Sequence, residues 1–529
     1  MDAWIGVVGE DRVATDAEVL TEFAANASGS DVIPIAVVRP ESGHQVQRIV
    51  EIAARFKSPI YPISTGRNWG YGAATPVTRG CTVLDLSDLQ SIRFIDDRLG
   101  LIELEPGVTQ GMLYEFFESR GLPWMVPVHA GGPDCSILGN ALERGYGLTP
   151  TTDHFSAMTS LEAVLADGSV YRSLFSEQGA EFIDAAHSWG ICSYLDCLFS
   201  QGNFGVVTKA TFAVQRRPQH TEAFFLRLKS DEHVGQLVEQ LPEVLSSLPA
   251  TVTGVNLMND RRVLSMSRPY STDLVPHGAI IPEEVIGKLT GSSGISKWTV
   301  AGVIHCRRGM VRSVRRELKR LLSRAIPGPL FLNRRRINFA RRFARLAPMT
   351  GASYLQQLNS IDAFIDLAEG RPRRIALPLA YWRRGETPDQ TIPLNPAKDG
   401  CGLIWYSTLV PMKRGLVHEY SRMVNHVCGQ YGVEPLMTLT SLSSAHFDST
   451  VPILYTRDDR NSMERAKGCY ASLTSEGRKL GCIPYRIPTF AMKEFFAQSA
   501  TQAIFEATLK NEVDPESIIP PGRYVPSQG

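Results

Sequence analysis

One stretch of the sequence, Tyr61 to Ala74, has residue types that suit phosphate binding. It reads Tyr-Pro-Ile-Ser-Thr-Gly-Arg-Asn-Trp-Gly-Tyr-Gly-Ala-Ala and lies between two apolar segments, 58–63 and 81–86, that predict strands. A loop rich in Gly, Ser, Thr and Asn exposes backbone N–H groups that can hold a pyrophosphate, and Arg67 adds a cation. An ordinary Gly-rich turn has the same composition. By itself the stretch is compatible with either structure.

Two further loops of small and polar residues favour the binding interpretation. The first is Gly131–Gly145, continued by Thr149–Phe155, and the second is Phe199–Lys209, which leads into a β-branched strand. Three such loops would have to converge to hold a ligand as long as a dinucleotide. Neither Gly-x-Gly-x-x-Gly nor Gly-x-x-x-x-Gly-Lys-Ser/Thr occurs, so a Rossmann enzyme and a P-loop NTPase are disfavoured.

The segments around these loops predict short strands with few helices. Residues 44–56 have apolar residues at helical spacing, and Thr109 is typical of the N-cap of a helix that runs to Arg120. Strands are predicted at 91–95, 101–104 and 161–165, the last ending at a hairpin signal, 166–169. This mixture favours an α+β fold over a doubly wound parallel sheet.

Length and composition fit an ordinary globular enzyme. The 529 residues predict two or three domains, and a net charge of +1 gives no reason to expect nucleic acid as a partner. Nine cysteines lack the spacing of a metal site or a disulfide framework, so no metal is predicted and free thiols are expected. The chain begins without a signal-peptide pattern and has no membrane-spanning apolar run. These features predict a cytoplasmic protein with no membrane association.

The loops resemble, in the same order, the FAD domain of the vanillyl-alcohol oxidase and 4-cresol dehydrogenase (p-cresol methylhydroxylase) family. The matching segments are Ser64–Gly72, Leu138–Gly145, Thr149–His154 and Gly205–Lys209, and Tyr485-Arg486 and Val513–Arg523 resemble the family's closing segment. The resemblance covers nearly the whole chain. It implies an FAD-binding domain made from both ends of the chain, 1–218 and 482–529, with an inserted α+β cap at 219–481.

The resemblance also implies which residues bind FAD. The expected set is Ser64, Thr65, Gly66, Arg67, Asn68, Trp69, Gly70, Gly72, Pro106, Pro133, Asp134, Ser136, Gly139, Asn140, Arg144, Gly145, Thr151, Asp153, His154, Gly205, Val206, Val207, Tyr381 and Arg523. In this family two tyrosines and an arginine bind a phenol as phenolate while the carbon para to the oxygen gives hydride to the flavin. The matching positions are Tyr71, Tyr485 and Arg486, although Tyr71 lies inside the cofactor loop and packing would also explain it.

The sequence departs from the family at the position of a carboxylate. The alcohol-oxidising members carry an Asp shortly before the Gly-rich run, whereas residues 126–131 contain none and Asp134 falls within the loop. A tyrosine common in the family is replaced by Leu148. The base of those relatives is therefore absent, unnecessary or replaced by His129, for which a structural role is the simpler interpretation.

Covalent attachment of FAD is common in the family, through a His or a Tyr of the cap. Leu403 occupies the histidine position, so a histidyl link is not expected, and Tyr381 lies in the region of the linking tyrosine. The insertion 384–399 leaves its alignment open. The bicovalent type is excluded because residues 64–72 contain no histidine.

A basic segment, 307–345, holds fourteen Arg or Lys residues against one acid, Glu317. It predicts either a solvated amphipathic helix with a basic loop, or a docking face for an acidic cytochrome, a carrier or an anionic substrate. The resemblance further implies a homodimer.

Three hypotheses remain open. The first is an FAD-dependent oxidoreductase, either a dehydrogenase or an oxidase, that acts on a phenolic substrate such as a 4-alkylphenol or a benzylic alcohol. The second is a biosynthetic flavoprotein that oxidises a tailored or carrier-bound intermediate. The third is a flavin-fold binding module without redox activity.

Overall fold

The computed structural model describes residues 1–270, 273, 275, 279–322, 326–346, 351–496 and 501–525. The α helices in this part of the chain are α1 (Asp2–Val8), α2 (Ala17–Ala24), α3 (Gly43–Phe56), α4 (Gln110–Ser119), α5 (Ile137–Leu142), α6 (Leu174–Glu177), α7 (Glu181–Ala186), α8 (Asp231–Ser247), α9 (Asp260–Ser267), α10 (Glu283–Ser293), α11 (Val311–Leu321), α12 (Arg334–Leu346), α13 (Gly351–Ala368), α14 (Pro378–Tyr381), α15 (Arg414–Gln430), α16 (Arg460–Lys479), α17 (Met492–Phe496) and α18 (Thr501–Val513).

The strands are β1 (Val13–Ala14), β2 (Ala36–Val38), β3 (Ile60–Ile63), β4 (Thr82–Asp85), β5 (Ile92–Asp96), β6 (Leu101–Leu104), β7 (Met158–Val164), β8 (Val170–Tyr171), β9 (Val206–Ala213), β10 (His220–Leu228), β11 (Val252–Asn259), β12 (Trp298–Cys306), β13 (Leu330–Leu332), β14 (Cys401–Pro411), β15 (Thr438–Ser441), β16 (His446–Thr456) and β17 (Pro484–Arg486). The predicted α+β class is confirmed.

The first part of the chain forms two small sheets. One has the order β1-β2-β4-β3, with β2, β4 and β3 parallel, and the other is antiparallel with the order β5-β6-β9-β7-β8. Helix α3 begins where the Ser42 hydroxyl accepts a bond from the Gln45 amide, and it buries Val46, Ile49 and Val50 against the first sheet. The predicted helix cap at Thr109 is present, since its hydroxyl accepts a bond from the Met112 amide.

The middle of the chain forms an antiparallel sheet of eight strands in the described residues, in the order β13-β10-β12-β11-β15-β16-β14-β17. Helices α8, α11, α15 and α16 cover one face, and the largest hydrophobic core lies between them and the sheet. Tyr406 and Phe447 point into this core. Because side chains alternate along a strand, their neighbours Ser407 and Asp448 lie on the opposite face.

The end of the chain returns to the first sheet. The Ile60 amide donates to the carbonyl of Ile518 at 2.8 Å, and Ile518 and Ile519 are buried against α3. Strand β10 begins at His220, beside the predicted boundary at 218, whereas β17 belongs to the eight-stranded sheet although it follows residue 482. The domain limits 1–218, 219–481 and 482–529 remain predictions.

The basic segment is partly neutralised within the protein. Arg315 of α11 is paired with the buried Glu222, and Arg334 of α12 is paired with Asp362, Asp366 and Glu369. Residues 323–325 of this segment lie outside the described residues. Among the helices described, none has the length and apolarity required to cross a membrane.

Candidate active site

Three loops meet at an open cleft between the first two sheets and the β17 edge of the eight-stranded sheet. The cleft has an empty volume of about 1070 Å³, including space open to solvent. The predicted site residues that line it are Ser64, Thr65, Gly66, Arg67, Asn68, Pro106, Ser136, Gly139, Asn140, Gly205, Val207, Arg486 and Arg523. The structure therefore brings together the loops that the sequence singled out.

Close packing of two loops forms the floor of the cleft. The Ser136 hydroxyl donates to the Pro106 carbonyl at 2.6 Å and accepts from the Gly139 amide at 2.9 Å, which caps α5. A Cβ atom on Gly139 would lie 2.3 Å from the Ser64 hydroxyl oxygen. Glycine at this position thus allows the loop that begins at Ser64 to contact α5.

The other predicted cofactor residues are not among those that line this cleft. They are Trp69, Gly70, Gly72, Pro133, Asp134, Arg144, Gly145, Thr151, Asp153, His154, Val206 and Tyr381. Several support the loops instead: Asp134 pairs with Arg374 at 3.0 Å, and His154 Nδ1 and Asn140 Nδ2 are 2.7 Å apart. Val206 faces the α3 core, opposite the cleft-lining Val207.

Trp69 and Gly70 join the loop that begins at Ser64 to β14 and to the segment before it. The Trp69 indole donates to the Asn395 side chain at 3.1 Å, and the Gly70 carbonyl accepts from the Trp405 amide at 3.3 Å. Gly70 has a φ of +80°, and a Cβ there would lie 2.4 Å from the Trp405 ring. Only glycine satisfies both conditions, so this residue fixes the loop against β14.

Tyr381 lies in a different hydrophobic cluster, at the end of α14. Its hydroxyl donates to Asp399, and burial together with that carboxylate raises its pKa above the ordinary value. Leu403 is in the same cluster and has no group that can bond to a flavin. The link through Tyr381 remains a prediction.

Of the three predicted substrate-binding residues, Arg486 lines the cleft, and Tyr71 and Tyr485 lie beside it without lining the cleft. Strand β17 supplies Tyr485 and Arg486, and a bond from the Thr489 amide to the Tyr71 carbonyl at 2.9 Å holds the loop beside it. The Arg486 guanidinium lies 4.3 Å from the centre of the Tyr71 ring and donates to Asn68 at 3.0 Å. The Tyr71 hydroxyl and the Ser407 hydroxyl are 2.5 Å apart.

Several shielded polar atoms at this end have no hydrogen-bond partner in the described part of the chain. They are the Tyr485 hydroxyl, Arg486 Nε and His129 Nε2, together with both carboxylate oxygens of Asp448. Buried polar groups are nearly always paired in folded proteins. Unpaired donors beside a long cleft with glycine-bearing walls fit an FAD molecule and a polar substrate.

The environment keeps the two phenols protonated. Burial raises the pKa of Tyr71 to about 12, with Arg486 opposing the rise. Burial and the Asp448 carboxylate raise the pKa of Tyr485 well above its ordinary value. Burial by itself would lower the pKa of Arg486, but the nearby tyrosines raise it, so this side chain is always a cation. The three groups therefore offer two O–H donors and one fixed positive charge.

His129 lies in the wall of the cleft, at the site where the family resemblance leads one to expect a carboxylate. Its Nδ1 accepts from the Gly131 amide at 3.1 Å, and its own amide donates to Gln110 at 2.9 Å. Burial lowers its pKa to about 3, with His154 adding to the effect. His129 is thus neutral near pH 7, and its Nε2–H has no hydrogen-bond partner among the described residues.

A second charged group anchors the end of the chain to the cleft. Arg523 is paired with Glu143 and donates to the Tyr61 hydroxyl at 2.5 Å, while the Tyr524 hydroxyl donates to Glu143 at 2.9 Å. Burial raises the pKa of Glu143, but Arg523 and Arg486 lower it below its ordinary value. Arg523 was expected from the sequence. Glu143 was not, although it lies within the segment Leu138–Gly145.

Asp448 and Tyr146 are the other residues that the sequence analysis missed. Asp448 is completely buried on β16, and burial raises its pKa to about 7, against the influence of Tyr146 and Arg486. Tyr146 lies in the loop between α5 and β7, near Asp448 and Thr440. No motif marks either residue, and a single polar residue inside a strand gives no signal by itself.

Comparisons with known proteins agree with this geometry. Residues 34–173 match an FAD-binding domain family. The chain is 29% identical over 524 residues to 1'-carboxy-chondrochloren decarboxylase of Chondromyces crocatus, covering 98% of this chain and 95% of the relative. It is 26% identical over 527 residues to the flavoprotein subunit of 4-cresol dehydrogenase (hydroxylating) of Pseudomonas putida, covering 98% and 93%.

Two solved structures have the same fold. They are p-cresol methylhydroxylase with substrate bound (TM-score 0.87, 23% identity, 99% and 96% of the two chains) and 4-ethylphenol oxidase from Gulosibacter chungangensis (TM-score 0.87, 20% identity, 100% and 97%). The chain therefore has an FAD-binding fold of the p-cresol methylhydroxylase and vanillyl-alcohol oxidase type. It is a homologue of the 4-cresol dehydrogenase flavoprotein, as the sequence segments indicated.

Proposed function

We propose that this protein is an FAD-dependent oxidoreductase that dehydrogenates a phenol at the carbon para to its oxygen. One observation carries the proposal: Tyr71 and Tyr485 lie beside the cleft-lining Arg486, and the Tyr485 hydroxyl and Arg486 Nε have no hydrogen-bond partner among the described residues. A fixed cation with two hydroxyl donors matches a single anionic oxygen. The relatives with phenolic names, 4-cresol dehydrogenase and 4-ethylphenol oxidase, support this substrate class.

The chain's own residues would orient and charge the substrate. FAD, when bound, supplies the acceptor for the hydride. Arg486, held by Asn68 and stacked on Tyr71, would stabilise the phenolate, and the Tyr71 and Tyr485 hydroxyls would donate to the same oxygen. A negative oxygen pushes electron density into the ring, which favours departure of a hydride from the para carbon. Ser407 would fix the direction of the Tyr71 hydroxyl.

A substrate screen tests the proposal. Purified protein with its FAD is mixed without oxygen with 4-methylphenol, 4-ethylphenol and 4-hydroxybenzyl alcohol, and the yellow absorbance of the flavin is followed. We expect bleaching by at least one of them. FAD-loaded protein that no member of a broad para-substituted phenol panel bleaches would contradict the proposal and favour a binding module.

The full-length similarity to a decarboxylase supports a second candidate, oxidation of a tailored biosynthetic intermediate that loses a carboxylate. This candidate retains the phenol site and adds a carboxyl group near the reacting carbon. A panel of 4-hydroxyphenyl acids distinguishes the two, because only the second predicts that carbon dioxide is released in proportion to bleached flavin.

The remaining proposals concern attachment and assembly. We propose that any covalent flavin bond uses Tyr381, that the protein is a cytoplasmic homodimer, and that an acidic cytochrome or carrier docks at the basic segment 307–345. Sedimentation of the purified protein tests the dimer. Salt-dependent binding of a candidate acidic partner tests the docking face.

A further inference from the structure

One buried carboxylate beside the proposed phenol site has no role in the function proposed above. Asp448 has no exposed surface, and neither of its oxygens has a hydrogen-bond partner among the described residues. It lies on β16, opposite Leu409 of β14 and Thr440 of β15. Burying an unpaired carboxylate is costly, so its presence at this position calls for an explanation in terms of charge.

The groups around Asp448 come from every neighbouring element. They are Tyr146 from the loop before β7, Tyr71 from the cofactor loop, Tyr485 and Arg486 from β17, and Tyr420 from α15 behind the sheet. The Tyr146 hydroxyl is close to the carboxylate, but the arrangement falls outside the geometry of an ordinary hydrogen bond. Arg486 acts on both Asp448 and the buried Glu143, and Arg523 is paired with Glu143.

Charge balance then limits what happens when a phenol binds. Before binding, Arg486 has two carboxylates near it, Asp448 and the Glu143 that is also paired with Arg523. A phenolate placed between Tyr71, Tyr485 and Arg486 would put a second negative charge beside Asp448. Two anions that share one cation in a desolvated pocket repel each other strongly, and one of them takes up a proton.

We propose that Asp448 accepts the proton that the phenol loses when it binds. The phenol O–H bond breaks, an O–H bond forms on the Asp448 carboxyl, and the phenolate replaces Asp448 as the counter-ion of Arg486. No other reactant is needed, and the net charge of the pocket is unchanged. This inference rests on the proposed function, because it requires that the substrate is a phenol.

The other titratable groups of the pocket are unsuited to this role. Tyr71, with a pKa of about 12, and Tyr485, with a pKa raised well above its ordinary value, are already protonated near pH 7. His129, with a pKa of about 3, cannot hold a proton at that pH. Asp448 has a pKa of about 7, so it is the group among these that gains or loses a proton in the neutral range.

The test counts protons rather than turnover. FAD-loaded protein is mixed at pH 8 with 4-fluorophenol, whose para carbon carries no hydrogen and which has a pKa of about 10, close to that of tyrosine. The ultraviolet difference spectrum reports bound phenolate, and a pH indicator in weak buffer reports released protons. For the unchanged protein we expect bound phenolate and no proton release, since the proton passes to Asp448.

Asp448→Asn keeps the shape of the side chain and removes the acceptor. We expect this variant either to release about one proton per bound phenolate or to lose the phenolate band. The matched control is Asp196→Asn, which alters another buried carboxyl with a raised pKa, bonded to Tyr171 and outside the cleft. The control should behave as the unchanged protein does. Phenolate formation without proton release in Asp448→Asn would overturn the proposal.

A measurement on the unchanged protein does not depend on the folding of any variant. At pH 5.5, Asp448 is already protonated before binding, so bound phenolate should now release about one proton. Equal release at pH 8 and pH 5.5 would overturn the proposal. The absence of a phenolate band at both pH values would instead contradict the phenol site itself, which separates the two failures.

Discussion

Replacing Arg486 by methionine should slow flavin reduction without removing the cofactor. The guanidinium carbon lies 4.3 Å from the centre of the Tyr71 ring, and Nη2 donates to the Asn68 side-chain oxygen at 3.0 Å. The Nε atom has no hydrogen-bond partner among the described residues. Methionine retains the apolar stem and removes the charge. Losing one partner of a desolvated, hydrogen-bonded charge pair costs about 2–5 kcal/mol. That energy corresponds to roughly a thirty-fold to several-thousand-fold lower rate.

Rapid mixing of the oxidised protein with 4-ethylphenol, without oxygen, measures this rate. Arg486→Lys is the matched variant, because it keeps the charge but loses the planar group that stacks on Tyr71. It should reduce its flavin at an intermediate rate. Phenylalanine at Tyr71 or Tyr485 should cost less than the loss of Arg486, since a neutral hydrogen bond is weaker. An Arg486→Met protein with full FAD content and an unchanged rate would refute the phenolate argument.

Three further predictions concern the cofactor and stability. Gly139→Val should yield colourless protein, because the valine side chain would displace the loop at Ser64. Gly287→Val, where a side chain meets open space, should keep its flavin. Full flavin absorbance in Gly139→Val would contradict the loop assignment. After denaturation in acid, the unchanged protein should keep its fluorescent flavin covalently bound, and Tyr381→Phe should release its flavin. Release of free FAD from the unchanged protein would reject the covalent link. His154 is buried, and its pKa is lowered to about 3. Its contribution to stability, at most about 5 kcal/mol, should be complete above pH 6.5 and should be lost as the pH falls toward 3. The free energy of unfolding of His154→Gln should therefore fall less steeply with decreasing pH than that of the unchanged protein.

Local patterns predicted the parts of the fold that depend on neighbours in sequence. Thr109 caps α4 as expected, and β6 occupies the predicted strand Leu101–Leu104. In each case a cap or a run of β-formers is sufficient to specify the element. The order of the loops also indicated an FAD fold through its resemblance to a known family.

Contacts between distant segments could not be predicted in this way. Tyr71 meets Ser407 only because the loop that contains Tyr71 packs against β14, and the two residues are 336 positions apart in sequence. Asp448 reaches the pocket through the pairing of β14, β15 and β16, which no single segment encodes. The Tyr381 hydroxyl bonds to Asp399, within the insertion whose alignment the sequence left open.

The most direct test of the central claim compares 4-ethylphenol with its methyl ether, 4-ethylanisole. The two molecules have the same reacting carbon, but the ether cannot form the anionic oxygen that Tyr71, Tyr485 and Arg486 are arranged to bind. We predict rapid bleaching of the flavin by the phenol in the absence of oxygen and none by the ether over the same period. Equal bleaching by both molecules would contradict recognition of a phenolate.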